Sequence, residues 1–483
     1  MTLTRATSDF LIILVGKLLQ VILMIAAIRV STALLEPKEM GNIYIFTTIY
    51  SFFVLSLISP FGQYINRHTN QWYQKKSLLD NLGIYGLYLI SISIFSVLVG
   101  FLFYSFGVSQ DIELYFFLGL LFVFILFLTL NQTILPLLNM LHYRLSFTIL
   151  TVLTAFGIIV FGYLLVSLFG NTAQNWLLGT VISNILFVII GFFVLKNRIN
   201  EKFYGFSYSF RKITKEKIKS ILIFVLPLSV ATFFMWLQNS GYRILIEQNI
   251  SLEFLGFLGV GLAVSGQMAS TIESIVMQYS HPIYYQLITN ATIEDRKKAI
   301  ESLINKVLPI YLMLAILLTF LAKYVVEILV DEKYYGVYIF TAFGIWIEFF
   351  RMTSNLFGNI SQSEMNTKKF MIPYIIGSML TVSLVYLSSV NIEYKFYLPF
   401  SLLIGGFFTM LFMYISMKKL INFTINFRLI ILSFIISSPY ISIYFFNFET
   451  NLLLNLFVVS SFGVYFLGTI YFVYKKGLSC GNS

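Results

Sequence analysis

An all-α polytopic membrane protein of about fourteen transmembrane helices follows from three observations. Hydrophobic residues make up 58% and charged residues 11% of the 483 positions, where a water-soluble domain carries about 25% charge. Apolar runs of some twenty residues recur along the whole chain, separated by short polar stretches. Lys and Arg gather in alternate stretches and are almost missing from those between.

A helix crosses the hydrocarbon with about 20 mostly apolar residues. Fourteen runs qualify: 10–33, 41–60, 81–106, 114–138, 147–169, 176–195, 220–246, 254–280, 305–326, 337–359, 370–390, 396–416, 429–447 and 452–473. The last pair is the least regular, which makes twelve the alternative count. Barrel strands of about 10 residues with alternating polarity do not fit runs of this length. The first run is followed by no small-residue cleavage site before Glu36-Pro37, so it reads as a span and not as a signal peptide. The single cysteine, Cys480, excludes a disulfide framework and a cysteine-ligated metal.

Orientation comes from the basic residues. One alternate set of loops holds 24 of them: Arg5; Arg67, Lys75 and Lys76; Arg144; eight in 196–219; Arg296, Lys297, Lys298 and Lys306; Lys368 and Lys369; Lys418, Lys419 and Arg428; Lys475 and Lys476. The opposite set holds three, Lys38, Lys333 and Lys395. The positive-inside rule puts the rich set and both termini in the cytoplasm. This accounts for a net charge of +11 without a nucleic-acid partner. The longest cytoplasmic loop, after span six, is expected to act as an orientation anchor and linker, with affinity for anionic headgroups as the second reading.

Charge inside hydrocarbon costs about 2.5–3.5 kcal/mol per residue and is therefore rare. The spans keep five basic residues, Lys17, Arg29, Arg243, Lys323 and Arg351, against two acids, Glu273 and Glu348. The excess is cationic and suits an anionic cargo. Lys17 lies about 10 Å inside span one and either snorkels or lines a cavity. Arg29 and Arg243 sit near the outer ends of spans one and seven, and Lys323 reads as an interface anchor. Glu348 and Arg351, spaced i, i+3 near the middle of span ten, share a helix face. They form either a self-neutralising pair or a gate or cargo contact. Glu273 has no local partner and is expected to pair with an arginine of another helix, or else to titrate as a coupling site. Trp236 and Trp346 lie at mid-membrane, where packing and stacking on sugar rings both remain open. Gln238, Asn239 and Ser240 add hydrogen-bonding groups beside Trp236. Pro136, Pro227 and Pro309 are expected to kink or break their helices. His68, His142 and His281 are expected at or beyond helix ends, without metal or catalytic spacing.

A weak repeat links the two halves. Span one leaves the membrane as Arg29-VSTALLEPKEM-Gly41, and span seven as Arg243-ILIEQNISLEFL-Gly256. Internal repeats are how many transporters build a central site. Pro227 through Trp236, Gln238-Asn239-Ser240, Arg243, Leu252-Glu253 and Gly256 look like the start of the second half of polysaccharide flippases. His281-Pro282-Ile283-Tyr284-Tyr285 and the opening LLEPKEMGNIY are similar to that family as well. The chain thus resembles the O-antigen flippases (Wzx type) of the multidrug/oligosaccharidyl-lipid/polysaccharide (MOP) exporter superfamily. Relatives carry Asp just before the span-seven arginine where this chain has Gly241-Tyr242, so no role of that acid is carried over.

The resemblance implies two pseudo-symmetric six-helix bundles plus two extra helices. The expected divisions are 1–200, a basic linker at 201–219, 220–420, and 421–483. It also implies a bacterial cytoplasmic membrane, an undecaprenyl-diphosphate-linked oligosaccharide as cargo, and a polysaccharide polymerase and chain-length regulator as partners beside the membrane lipids. The expected cationic substrate site comprises Arg29, Arg243, Lys17, Arg351, Asn239 and Trp236, with Glu273 and Glu348 in coupling or gating. No nucleotide-binding G-x-x-x-x-G-K-[ST], no H-E-x-x-H and no G-x-S-x-G occurs, so neither cofactor nor metal is expected and the chain reads as a transporter. A drug exporter of the same superfamily and a membrane polysaccharide polymerase are the alternatives, the latter weakened by the lack of a long outer loop.

Overall fold

The computed structural model of the protein describes residues 3–199, 201, 203–289, 291–364, 366–445 and 451–479. Lys202 and Cys480, and the side chains of Arg5, Lys475 and Lys476, lie outside the described residues. Among those described there is no strand. The first helices are α1 (Leu3–Leu34), α2 (Pro37–Gln74), α3 (Leu78–Ser105), α4 (Leu114–Met140), α5 (Arg144–Phe169) and α6 (Ala173–Arg198). A short α7 (Phe206–Arg211) precedes α8 (Lys215–Asn249), α9 (Leu252–Ile288), α10 (Ile293–Leu329) and α11 (Tyr338–Ser363). The last are α12 (Thr367–Ser389), α13 (Tyr394–Lys418), α14 (Phe427–Phe445) and α15 (Leu452–Ser479).

Among the described residues, thirteen helices are long and apolar enough to cross a membrane, and each coincides with an expected run. The fourteenth run, 337–359, is α11. It is a helix of sufficient length, but Glu348, Arg351, Asn355 and Asn359 recur along one face and dilute its apolar character. Other helices cover its remaining faces, leaving Ile345, Met352, Leu356 and Ile360 buried.

Two expectations are corrected by helix length. α2 continues to Gln74 and α9 to Ile288, well past the apolar runs. His68 and His281 therefore lie inside helices and not beyond their ends. His68 donates Nδ1–H to the Tyr64 carbonyl at 2.8 Å and stacks 5.6 Å from Trp72. Pro136, Pro227 and Pro309 are absorbed within the unbroken helices α4, α8 and α10. The irregularities sit elsewhere, as π turns at Val54–Ile58 in α2, just ahead of Pro60, and at Leu237–Gly241 in α8. A π turn inserts one residue and rotates the next stretch of helix about its axis.

The chain packs as two compact units, Met1–Gly256 and Phe257–Ser483. In the first, α1 lies on α5, α5 on α6, α6 on α4 and α4 on α3, while α2 and α8 pack on each other. Lipid gives helices no hydrophobic reason to associate, so close approach over small residues takes its place. A side chain at Gly179 would strike the backbone of Gly162 where α5 and α6 cross. Ser183 on α6 donates to the Thr154 carbonyl on α5 at 2.8 Å. In the second unit α10 is the central helix, with 72% of its span buried against 6% for α1. α11, α14 and α15 surround it, α13 packs on α11, and α12 on α13.

The two repeat-like glycines meet. A side chain at Gly41 would collide with the Leu252 carbonyl, and one at Gly256 with the Pro37 carbonyl and, at 3.1 Å, the Gly41 nitrogen. The openings of α2 and α9 thus touch backbone to backbone. Gly41→Ala and Gly256→Ala are each expected to force the helices apart, at about 1–3 kcal/mol. Thermal unfolding in detergent would register this as a lowered midpoint. An unchanged midpoint in both would mean that the contact is not a tight one.

Candidate functional site

The charged groups expected at membrane depth divide between the units: Lys17, Arg29 and Arg243 lie in the first, and Glu273, Glu348 and Arg351 in the second. In the first unit Arg243 lies two residues past the π turn of α8. The Gly241 side of that turn is open enough for the Leu237 side chain, whose Cδ1 would sit 2.9 Å from an added Cβ. The Arg243 guanidinium lies over the Tyr44 ring of α2, 5.5 Å from its centroid, a cation–π contact. Its Nε is buried without a hydrogen-bond partner. Arg29 lies near the end of α1, and its Nη1 is likewise buried without one. Asn42, 2% exposed, leaves its Oδ1 unmet.

Trp236 immediately precedes the π segment. Its Nε1–H donates to the Thr48 carbonyl of α2 at 2.9 Å, and its ring stands edge-on to Phe52 at 5.1 Å. At 5% exposure the indole belongs to the α2–α8 packing and presents no face for a sugar. Trp346, only partly buried, donates to Thr319 Oγ1 at 3.0 Å and packs on Phe349. Asn239 lies on the π turn between Trp236 and Arg243, partly exposed. Lys17 is not brought to Arg29: twelve residues of α1 separate them, about 18 Å along the axis. Gly16 and Gln20 beside Lys17 face α5, with Gln20 Nε2 donating to Thr151 Oγ1 at 2.6 Å.

The second cluster is an ion network. Arg351 of α11 donates Nε–H to Glu348 Oε2 at 2.6 Å and Nη2–H to Glu273 Oε2 of α9 at 2.8 Å. The cross-helix arginine expected for Glu273 is therefore Arg351. Asn355, one turn along, reaches Glu273 Oε1 at 3.4 Å, and Tyr374 of α12 donates its hydroxyl to Asn355 Oδ1 at 3.1 Å. The three charged side chains are each about one-fifth exposed. Gly266 of α9 lies beside the network: a Cβ there would come within ordinary contact of Glu348 Oε1, at 3.6 Å. One guanidinium serves two carboxylates, so the cluster is formally −1, in contrast to the cationic first unit. Sequence reasoning missed Asn355 and Tyr374. The stripe Glu348, Arg351, Asn355, Asn359 at i, i+3, i+7, i+11 would have found Asn355.

Among the described residues no group of three or more His, Cys, Asp or Glu is placed to hold a metal ion. Replacing Arg351 by Gln strands two carboxylates, whereas Glu348→Gln leaves the Arg351–Glu273 pair intact. Full burial would make the first change cost 3–5 kcal/mol. Partial exposure reduces it to roughly 1–3 kcal/mol. Arg351→Gln is expected to unfold at a lower temperature and express less than Glu348→Gln, and the reverse order would show that the network is not shared as drawn.

No protein-family model matches the sequence, and no curated protein matches it by sequence. The fold does have relatives among solved structures. The lipid II flippase MurJ, in an inward closed conformation, is 14% identical with a TM-score of 0.63, covering 98% of each chain. An inward-facing multidrug resistance MATE family transporter of the MOP superfamily is 13% identical with a TM-score of 0.56, covering 84% of this chain and 94% of its own. A Vibrio cholerae MATE transporter, VcmN, is 12% identical with a TM-score of 0.55, covering 87% of this chain and 97% of its own. The chain is thus a multi-pass membrane protein with the fold of MOP-superfamily transporters.

Proposed function

We propose that the protein is a flippase that moves an undecaprenyl-diphosphate-linked oligosaccharide across the bacterial cytoplasmic membrane by alternating access. The observation that carries this reading is the pair of arginines in the first unit, Arg29 and Arg243. Each holds a buried guanidinium N–H with no acceptor in the protein. An unmet buried donor costs about 1–3 kcal/mol, more when charged. A diphosphate supplies the missing acceptors, and guanidinium suits phosphate oxygens in bidentate geometry. The likeness to a lipid II flippase runs through 98% of both chains, which supports a lipid-borne cargo further.

In this reading Lys17 attracts the diphosphate from the basic end, and Arg243 and Arg29 hold it. Asn239 offers its amide to the glycan, while Trp236 fixes α8 on α2 so that Arg243 stays in place. Arg351 is assigned to switching and not to cargo, because two carboxylates already occupy it. A proton or sodium ion competing for Glu273 would release it from Arg351 and loosen α9 from α11, whereas one on Glu348 would leave that link in place. The membrane potential is the other energy source. It drives anions outward by about 2.3 kcal/mol per charge per 100 mV, roughly twice that for a diphosphate carrying two charges.

The formal −1 of the second cluster favours a second reading, export of small organic cations. Reconstitution separates the two. Proteoliposomes loaded with a labelled lipid-linked saccharide are expected to show transfer, reduced about tenfold or more by Arg29→Ala or Arg243→Ala at equal protein level. Lysine in either place should restore part of it. Unimpaired transfer by both alanine variants would defeat the arginine site. Efflux of a cationic dye with no saccharide transfer would favour the second reading.

A further inference from the structure

The linker after α6 is folded onto the first unit. Asp80 near the start of α3 pairs with Lys212 at 2.6 Å, Asn81 accepts from Lys217 at 2.6 Å, and the Leu79 amide donates to Glu201 Oε2 at 3.0 Å. Gly83 and Gly86 are the floor on which it rests. Side chains there would strike Ser209 and Phe203, and at 3.0 Å Phe206.

Beneath it α3, α4 and α6 enclose an apolar slot of about 390 Å³, with Phe203 and Phe206 of the linker in its lining. A polar depression of about 680 Å³ lies beside it. Three segments run from one to the other. On α3 and the turn before it, Leu82 and Leu79 line the slot and Asp80 and Lys76 the depression. On α6, Phe192 and Phe193 line the slot and Lys196 and Arg198 the depression. On the linker, Phe206 and Phe203 give way to Tyr204 and Glu201. Chain neighbours such as Leu79 and Asp80, and Phe203 and Tyr204, divide between the two spaces, so the slot and the depression adjoin, one apolar and the other lined by charged residues.

We propose that this composite pocket binds one anionic glycerophospholipid of the cytoplasmic leaflet, with an acyl chain in the slot and the phosphate on Lys76, Lys196 and Arg198. The slot has little else to offer a ligand. Its hydroxyls are Thr133 and Tyr85, and Thr133 donates to Tyr85 at 3.4 Å as well as to the Thr129 carbonyl at 2.8 Å. The volume equals about thirteen water-sized spaces of ~30 Å³. A methylene group is of similar size, so one acyl chain fits and an eleven-isoprene tail would lie mostly outside. At the mouth the cations prevail. Lys212 engages the Asp80 carboxylate, and burial pushes the Glu201 carboxyl above the usual range. Basic pockets at the cytoplasmic ends of transmembrane helices suit such headgroups.

The test uses the full chain in detergent, titrated with phosphatidylglycerol or phosphatidylcholine and read by native mass spectrometry. The chain should retain one phosphatidylglycerol about tenfold more tightly than phosphatidylcholine. The double change Lys196→Gln, Arg198→Gln should remove that preference. Ile189→Trp, on a slot-lining residue 47% exposed and so free to enlarge, should fold and lose both lipids. Equal retention of the two lipids by the unaltered chain, or unchanged phosphatidylglycerol binding in either variant, overturns the proposal. Displacement of phosphatidylglycerol by equimolar undecaprenyl diphosphate also overturns it, and would assign the slot to the cargo.

Discussion

Hydrocarbon supplies neither hydrogen bonds nor counter-ions, so every polar group in the membrane must find its partner within the protein. That condition accounts for helices throughout, and for the fate of the side chains they carry. Hydroxyls turn back onto their own helix, as Thr48 Oγ1 does to the Tyr44 carbonyl at 2.7 Å. Asn455 of α15 meets the buried Glu327 of α10 at 2.8 Å. Arg351 is held by two carboxylates from two helices. Against that background several buried polar atoms among the described residues have no partner within the protein, and the guanidinium atoms of Arg29 and Arg243 are the two among them that belong to arginines.

The same medium changes what holds helices together. Apolar side chains gain nothing by leaving lipid for protein, and contact has to come from shape. Glycine, serine and threonine therefore mark the crossings. α5 meets α6 at Gly162 and Gly179, and α12 meets α13 at Thr381 and Gly405. Where α2 and α9 open, Gly41 and Gly256 bring two backbones together. Such crossings leave little freedom to repack.

The units differ in how charge is managed. The second balances its cation with two acids on α9 and α11, a bond that can be exchanged without breaking the helices. The first keeps Arg243 against an aromatic face, which steadies a cation without neutralising it. At the basic end the same residues that orient the chain also seat the linker on α3. A charge read at first as a topological marker thus also has a local contact, through Lys212 and Asp80.

The sequence by itself determined the helical class, the position of nearly every span, and which charges fall within the spans. Those properties are one-dimensional: hydrophobic length, loop charge and helical spacing all repeat along the chain. Glu348 and Arg351 could be placed on one face because i, i+3 is a property of a single helix. Only the tertiary structure decided that Glu273, 78 residues away, completes the network. It alone decided that Arg243 lies over Tyr44, that Trp236 is spent on packing, and that α11 is lined by protein. The physical reason is that apolar helices look alike to one another. Periodicity tells which face is polar and how deep it lies, but the neighbour across it is chosen by shape.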